Sequence, residues 1–251
     1  MENREFYIES QGIRLHLKLD FPAQAAEKYP LLILQHGYTG HMEERHIIAI
    51  AKAANDVGFA VLRSELYGHG QSGGAFCDHT ILKWVQELVD VIDYAASLDF
   101  VDGIYLAGHS QGGLTAMLVG AIKRNLVRGL LPLAPAVVIR DMARQGIFFG
   151  AQYDPENPPE IIDVDNGLTL RADYVRVAQL LPVEEAIDRY PGPVLIVHAD
   201  TDEAVPVQYA YDAAKRYRNA ELVIIKDDTH CYDNHLEQAT EAVARFLKRI
   251  R

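Results

Sequence analysis

A serine between two glycines lies where a predicted strand meets a predicted helix. Residues 103–107 (GIYLA) have the apolar character of a buried strand and run directly into GHSQG at residues 108–112. Helical spacing follows over residues 114–124. In this G-x-S-x-G context the serine hydroxyl stands on a tight turn, where it can meet a base and a substrate carbonyl, and the helix start favours developing negative charge. We therefore interpret Ser110 as a nucleophile.

Two later loops carry residues that could complete such a site. One predicted strand, 194–198, leads to three carboxylates, and the next, 222–225, leads to His230. Open α/β sheets place their sites at the carboxyl ends of strands, and the chain order is serine, then acid, then histidine. We predict His230 as the base that takes the serine proton. The candidates for the acid that orients it are Asp200, Asp202 and Glu203.

Composition narrows the classes of function. The chain has 251 residues, 49% of them hydrophobic and 24% charged, which is typical of a globular domain with a sizeable core. Its formal net charge of −11 repels phosphate backbones and anionic membrane surfaces. We therefore expect neither a nucleic-acid partner nor membrane attachment.

The chain carries no recognisable export or membrane signal. Residues 1–10 are mixed polar and charged, and no run approaches the roughly 18 apolar residues that span a bilayer. The two cysteines, Cys77 and Cys231, are then best interpreted as reduced thiols in a cytoplasmic protein. The oligomeric state is left open, and a homo-oligomer is compatible with the sequence.

Strand-like and helix-like segments alternate along most of the chain. This alternation predicts an α/β fold with a mostly parallel sheet and helices on both faces. An antiparallel edge hairpin is expected from residues 6–9 and 13–21. Further strands are predicted at 31–35, 60–64, 103–107, 130–133, 194–198 and 222–225, and helices at 43–57, 80–98, 114–124 and 236–250.

One stretch interrupts the alternation. Between Pro135 and Pro193 the chain is too long for an ordinary connection, and it contains a proline cluster at residues 155–159. One helix is expected there, over 171–181. The stretch is either a long crossover or a lid inserted over a pocket, and we favour the lid. The predicted organisation is a core of residues 1–136 and 190–251 with a lid at 137–189.

These motifs resemble the α/β-hydrolase family over nearly the whole chain. HGYTG at residues 36–40 is similar to the family's oxyanion loop, and GHGQS at 68–72 is similar to its G-x-G-x-S loop. The resemblance implies that the backbone N–H groups of Tyr38 and Gln111 bind the oxyanion. It also implies that the second aspartate, Asp202, is the orienting acid. Glu65 departs from the aspartate common in relatives, and we expect a structural consequence.

A closer resemblance is to the bacterial cinnamoyl and feruloyl esterases. It rests on HGYTG, on GHSQGG, and on LAPA, YVRVAQLLP and DTHC, which begin at residues 133, 174 and 228. In those enzymes a small insertion covers the site, and an aspartate and a tyrosine from it bind ring hydroxyls. The matching positions are Asp141 and Tyr174. The resemblance implies a serine esterase for hydroxycinnamate esters, with a small-molecule ester substrate and neither cofactor nor metal.

Several alternatives stay open. A short-chain carboxylesterase or monoacylglycerol-type lipase would use the same triad, and a non-catalytic receptor could keep the fold. His36 and His109 are expected to shape loops, and His69 is expected to make a structural hydrogen bond beneath the glycine loop. The acidic and histidine residues around His230 could suggest a metal, but no paired metal-ligand spacing supports that reading. The aromatic residues of the lid either seal it onto the core or grip an aromatic acyl group: Phe148, Phe149, Tyr153 and Tyr174.

Overall fold

The computed structural model describes residues 2–164 and 167–251 and contains an eight-stranded sheet. The strands are β1 (Arg4–Ser10), β2 (Ile13–Asp20), β3 (Tyr29–Gln35), β4 (Ala60–Ser64), β5 (Val101–His109), β6 (Val127–Leu133), β11 (Val194–Ala199) and β12 (Ala220–Ile225). Their order in the sheet is β1-β2-β4-β3-β5-β6-β11-β12, and every pairing from β4 to β12 is parallel.

The amino-terminal hairpin forms the antiparallel edge of this sheet, as predicted. Ser10 pairs with Ile13, and the two residues between them, Gln11 and Gly12, both have positive φ, at 50° and 78°. Two consecutive positive φ angles match the twist of the flanking strands. The tight turn therefore sets the register that places Leu15, Leu17 and Leu19 in the core.

Helices cover both faces of the sheet and bury apolar residues against it. On one face, α1 (Arg45–Asp56) and α8 (Leu236–Ile250) bury Ile50, Val243 and Phe246 against strand residues such as Leu34. The other face is covered by α2 (Ile81–Ala96), α3 (Gln111–Ile122) and α7 (Gln208–Arg216), and the helices of the inserted segment pack on these helices. In the described part of the chain, no helix is both long and apolar enough to cross a membrane.

The segment between β6 and β11 contains more helices and strands than the sequence predicts. One helix was expected, over 171–181, and α5 (Ala172–Gln179) matches it. The segment also contains α4 (Val138–Gln145), α6 (Val183–Arg189), the pair β7 (Ile147–Phe148) and β8 (Ala151–Gln152), and the pair β9 (Ile161–Val164) and β10 (Leu168–Arg171). The four strands have two to four residues each, which is too short for a periodic pattern to reveal them. Residues 165 and 166 of the predicted lid lie outside the described residues.

Helix α7 was also absent from the sequence-based expectations. Its buried face consists of two alanines, Ala210 and Ala213, so its apolar stripe is too narrow to recognise. The remaining predicted elements are present, and their bounds differ by a few residues. The carboxyl ends of β3, β5, β6, β11 and β12 meet at one edge of the sheet, because these strands are parallel.

Candidate active site

Ser110 stands on a strained turn between β5 and α3. Its φ of 56° and ψ of −121° lie in a region that residues with a side chain rarely adopt. The surroundings hold this conformation, because Ser110 N–H donates to Leu133 O at 2.9 Å and Ser110 O accepts from Ala136 N–H at 3.0 Å. The turn therefore presents the hydroxyl at the carboxyl edge of the sheet.

Two glycines of the motif are required by close backbone contacts. A Cβ on Gly108 would lie 2.2 Å from Gly112 O, and a Cβ on Gly112 would lie 2.3 Å from His36 O. Both distances are far below van der Waals contact, and both neighbours are backbone atoms. The G-x-S-x-G spacing thus lets β5, α3 and the end of β3 approach one another around Ser110.

Asp202 and His230 are brought together from two neighbouring loops. His230 Nδ1–H donates to Asp202 Oδ2 at 2.7 Å, and the Asp202 side chain is completely buried. The other carboxylate oxygen, Oδ1, accepts the N–H groups of Ala204 at 2.9 Å and Val205 at 2.8 Å. These bonds fix the carboxylate and, through it, one tautomer and orientation of the His230 ring.

His198 is a further partner of this carboxylate that sequence reasoning missed. Its Nε2 lies 3.2 Å from Asp202 Oδ2 and 2.9 Å from Val205 O. Burial raises the pKa of Asp202, but the hydrogen bonds from His198 and His230 outweigh burial and hold the pKa well below its ordinary value. Asp202 is therefore a carboxylate at neutral pH. The available signal was that His198 ends a strand four residues before Asp202.

Hydrogen bonds also fix the main chain of His230. His109 Nε2–H donates to His230 O at 2.9 Å, and His230 N–H donates to Glu203 Oε2 at 3.2 Å. Burial, followed by the neighbouring His46 and His230, lowers the pKa of His109 well below its ordinary value, so this ring is neutral. His109 therefore shapes the loop, as expected from the sequence.

Ser110 and His230 line one cavity of about 190 Å³. In the described part of the chain, no hydrogen bond joins Ser110 Oγ to His230. Catalytic hydrogen bonds are often long before substrate binds, so this arrangement is compatible with proton transfer between the two residues. The walls are mostly apolar and aromatic, with Tyr38, Ala136, Ile139, Phe149 and Val205 among them.

The loop with Tyr38 is fixed beside Ser110. A Cβ on Gly37 would lie 3.1 Å from Ser110 Cβ, which shows how closely the loop approaches. Gly37 O is within 2.8 Å of His36 Nδ1 and accepts from Gly40 N–H at 3.2 Å, so the peptide that carries the Tyr38 N–H is oriented. His69 Nε2 hydrogen-bonds Tyr38 O. Gln111, the other predicted oxyanion donor, is the first residue of α3.

The two predicted substrate contacts, Asp141 and Tyr174, are not among the described residues that line this cavity. Asp141 Oδ2 accepts from Tyr209 Oη at 2.7 Å and lines a neighbouring cavity. Tyr174 is fully buried, and its Oη donates to Gln111 Oε1 at 2.6 Å. Both residues come from the inserted segment, next to the site.

The other acidic residues of these loops have structural contacts. Asp200 Oδ1 accepts Asp227 N–H at 2.7 Å, so this residue braces the turn. Buried Asp228 accepts three backbone N–H groups of the loop before α8. Glu65 accepts Gln71 N–H at 2.6 Å and lies 3.0 Å from His16 Nδ1, in agreement with the structural role expected for it.

Comparison with known proteins gives close matches. The structure of ferulic acid bound to Est1E from Butyrivibrio proteoclasticus matches with a TM-score of 0.94 and 51% identity, over 96% of this chain and 97% of that one. A structure of Est1E from the same organism matches with a TM-score of 0.92 and 48% identity, over 98% of each chain.

More distant relatives match this chain over only part of their own length. Human Protein ABHD12B is 25% identical over 211 residues, or 81% of this chain, which spans only 55% of that protein's length. A sequence model of the Alpha/beta hydrolase family matches residues 31–246. The sheet order, the serine turn at its edge and this match together show that the chain belongs to the alpha/beta hydrolase family.

Proposed function

We propose that the protein is a serine esterase in which Ser110, His230 and Asp202 form the catalytic triad. The observation that carries this proposal is the 2.7 Å hydrogen bond from His230 to Asp202, made by residues whose loops adjoin the Ser110 turn. A buried carboxylate that orients an imidazole beside a serine is the arrangement that activates the hydroxyl.

In the proposed reaction, His230 Nε2 accepts the Ser110 proton as Oγ attacks the ester carbonyl. The backbone N–H groups of Tyr38 and Gln111 bind the oxyanion that forms, and each donor contributes on the order of 10²–10³ in rate. His230 returns the proton to the leaving alcohol, and an acyl-enzyme forms on Ser110. Water activated by His230 then releases the acid and restores the serine.

The proposed substrates are hydroxycinnamate esters. Two observations support them: the matching Est1E structure binds ferulic acid, and the cavity wall holds two stacked rings. Tyr38 and Phe149 have centroids 4.6 Å apart with an interplanar angle of 17°. Such a surface suits a planar aromatic acyl group better than a flexible aliphatic chain. We retain Asp141 and Tyr174 as proposed contacts of the ring hydroxyls, which requires the inserted segment to rearrange when substrate binds.

We propose the same segment, residues 137–189, as the lid of the site. Val138, Ile139 and Phe149 belong to it and line the cavity that contains Ser110, which supports this role. The proposed compartment is the cytoplasm, and the two unpaired cysteines, Cys77 and Cys231, are compatible with it.

A comparison of esters tests the proposed substrate class. Methyl ferulate and methyl caffeate should give a higher kcat/KM than p-nitrophenyl butyrate. Tyr174→Phe should reduce turnover of the hydroxylated esters selectively, because a site that bonds a substrate hydroxyl discriminates strongly. Turnover of the aliphatic ester alone would assign a short-chain carboxylesterase or lipase instead.

Covalent labelling tests catalysis itself. An organophosphonate should modify wild-type protein at Ser110 and leave Ser110→Ala unmodified. A folded wild-type protein that binds esters but neither reacts with the label nor hydrolyses them would be a receptor rather than an enzyme.

A further inference from the structure

Three side chains with metal-binding atoms converge beside the Ser110 cavity. His46 comes from α1, His109 ends β5, and Cys231 lies in the loop after β12. One ligand atom from each lies within 4.8 Å of the others. The proposed triad uses none of these three side chains for proton transfer. Since their elements are far apart in sequence, only the fold brings them together.

We propose that His46, His109 and Cys231 form a binding site for a thiophilic divalent cation, with Zn²⁺ as the best-suited ion. Imidazole nitrogen and cysteine thiolate are the ligands that zinc prefers in proteins, and three protein ligands with one open position form a known type of zinc site. The soft sulfur ligand disfavours Mg²⁺ and Ca²⁺, which prefer oxygen donors. The proposed site therefore depends on two imidazoles and one thiolate and not on the acidic groups nearby.

The environment of His46 is the strongest independent support. Only 4% of its surface is exposed, and its Nε2 has no hydrogen-bond partner in the described part of the chain. A buried nitrogen without a partner destabilises the folded state, and a bound cation would satisfy it. His46 and His109 are in T-shaped contact, with ring centroids 4.3 Å apart and an interplanar angle of 61°, so the two imidazoles lie side by side next to Cys231.

The fourth coordination position has two candidate occupants. Glu44 Oε2 lies 4.0 Å from His46 Nε2, and Glu44 also lines the cavity. A small shift of this side chain would bring in a carboxylate oxygen, and otherwise water from the cavity would complete a tetrahedron. One thiolate and one carboxylate would together neutralise the 2+ charge of the ion.

Binding involves no redox step. The Cys231 Sγ–H bond breaks, its proton goes to solvent, and the thiolate electron pair forms the bond to the metal. His109 Nε2 already bonds His230 O, so coordination through Nδ1 would leave that contact intact. His109 and Cys231 both line the cavity, and a bound ion would therefore face the space that contains Ser110.

Cobalt titration of the full-length, chelator-treated protein tests the site without measuring catalysis. Co²⁺ should bind one per chain and give the near-ultraviolet band of a thiolate–cobalt bond, and Zn²⁺ should abolish that band by displacement. Cys231→Ser should lack the band. His46→Asn should weaken binding by about tenfold or more, since loss of even an outer-shell partner costs this much.

The second cysteine provides a matched control. Cys77 is also free and partly buried but lies near the start of α2, so Cys77→Ser should keep the full band. Circular dichroism must show that each variant is folded. The proposal is overturned if folded wild-type protein shows no such band at one equivalent, or if the band persists in folded Cys231→Ser.

Discussion

Tyr174 Oη donates a 2.6 Å hydrogen bond to Gln111 Oε1, and both side chains are fully buried. Tyr174 comes from the inserted segment, whereas Gln111 begins the helix that follows Ser110. The bond therefore links the proposed lid to one of the proposed oxyanion donors. Burial raises the pKa of Tyr174 well above its ordinary value, so the phenol stays a donor at every working pH.

Tyr174→Phe should lower the free energy of unfolding by about 1–3 kcal/mol. The substitution removes the hydroxyl donor and leaves the buried Gln111 Oε1 without a hydrogen-bond partner. An unsatisfied buried acceptor costs more free energy than the loss of a solvent-exposed hydrogen bond. Urea unfolding would measure the change. Tyr153→Phe is the control, because the Tyr153 hydroxyl makes only a 3.4 Å contact with Ala143 O. Equal stability of Tyr174→Phe and wild type would contradict the structural importance of this bond.

His198 should act as a positioning residue for Asp202. His198→Leu removes a donor to a buried carboxylate, which is worth about 1.5–3 kcal/mol, so kcat/KM should fall roughly tenfold to a hundredfold. His198→Gln can still donate from its amide and should retain more activity. Steady-state kinetics of the two variants, with methyl ferulate as substrate, would check this. Equal losses of kcat/KM in both variants would show that the volume of the side chain at position 198, and not its hydrogen bond to Asp202, supports activity.

Glu87 should make stability fall as the pH rises. Burial raises the pKa of its carboxyl to about 8, although the Tyr67 N–H bond opposes this shift. Below pH 4.5 both states bind the proton. Between pH 4.5 and 8 only the folded state keeps the carboxyl proton, so the free energy of unfolding falls by up to about 1.4 kcal/mol per pH unit.

Glu87→Gln removes this titration while keeping the shape of the side chain. Urea unfolding at several pH values should show the wild type losing a few kcal/mol relative to Glu87→Gln between pH 5 and pH 8. Asp56→Asn, at an exposed position on α1, is a control that should run parallel to wild type. Parallel curves for wild type and Glu87→Gln would contradict the raised pKa.

Gly112→Ala should disrupt the Ser110 turn. Its Cβ would meet His36 O at 2.3 Å, and a backbone oxygen in a packed core cannot easily move, so we expect a loss of about 3 kcal/mol or more. Gly12→Ala is the matched control. It has positive φ but nothing within 4 Å, so only backbone strain of about 1 kcal/mol applies. Thermal unfolding would compare the two, and similar losses would show that crowding at Gly112 is unimportant.

The sequence was sufficient for the fold and the family. Buried parallel strands appear as continuous apolar runs, and surface helices appear as periodic ones, so the order of elements can be recognised locally. The G-x-S-x-G motif indicated a nucleophilic serine because a strand precedes it and a helix follows it. The α/β-hydrolase fold and the likeness to feruloyl esterases are confirmed. The lid, the triad and the contacts of Asp141 and Tyr174 stay predictions.

The inserted segment shows where local patterns were insufficient. Its helix α6 has seven residues, which is less than two helical turns, and its strands β7 to β10 have only two to four residues each. Helix α7 buries only two alanines and was missed for a related reason. In these places the contacts made after folding, and not the intrinsic preference of the segment, determine the secondary structure.

By itself, the sequence determined which strands carry Ser110, Asp202 and His230 to one edge of a sheet. Only the tertiary structure decided that His198 shares the Asp202 carboxylate and that His46 and His109 lie beside Cys231. The physical reason is that such contacts join side chains from separate strands, helices and loops. Their distances depend on how layers of the whole domain pack, and no periodicity or motif within one segment records them.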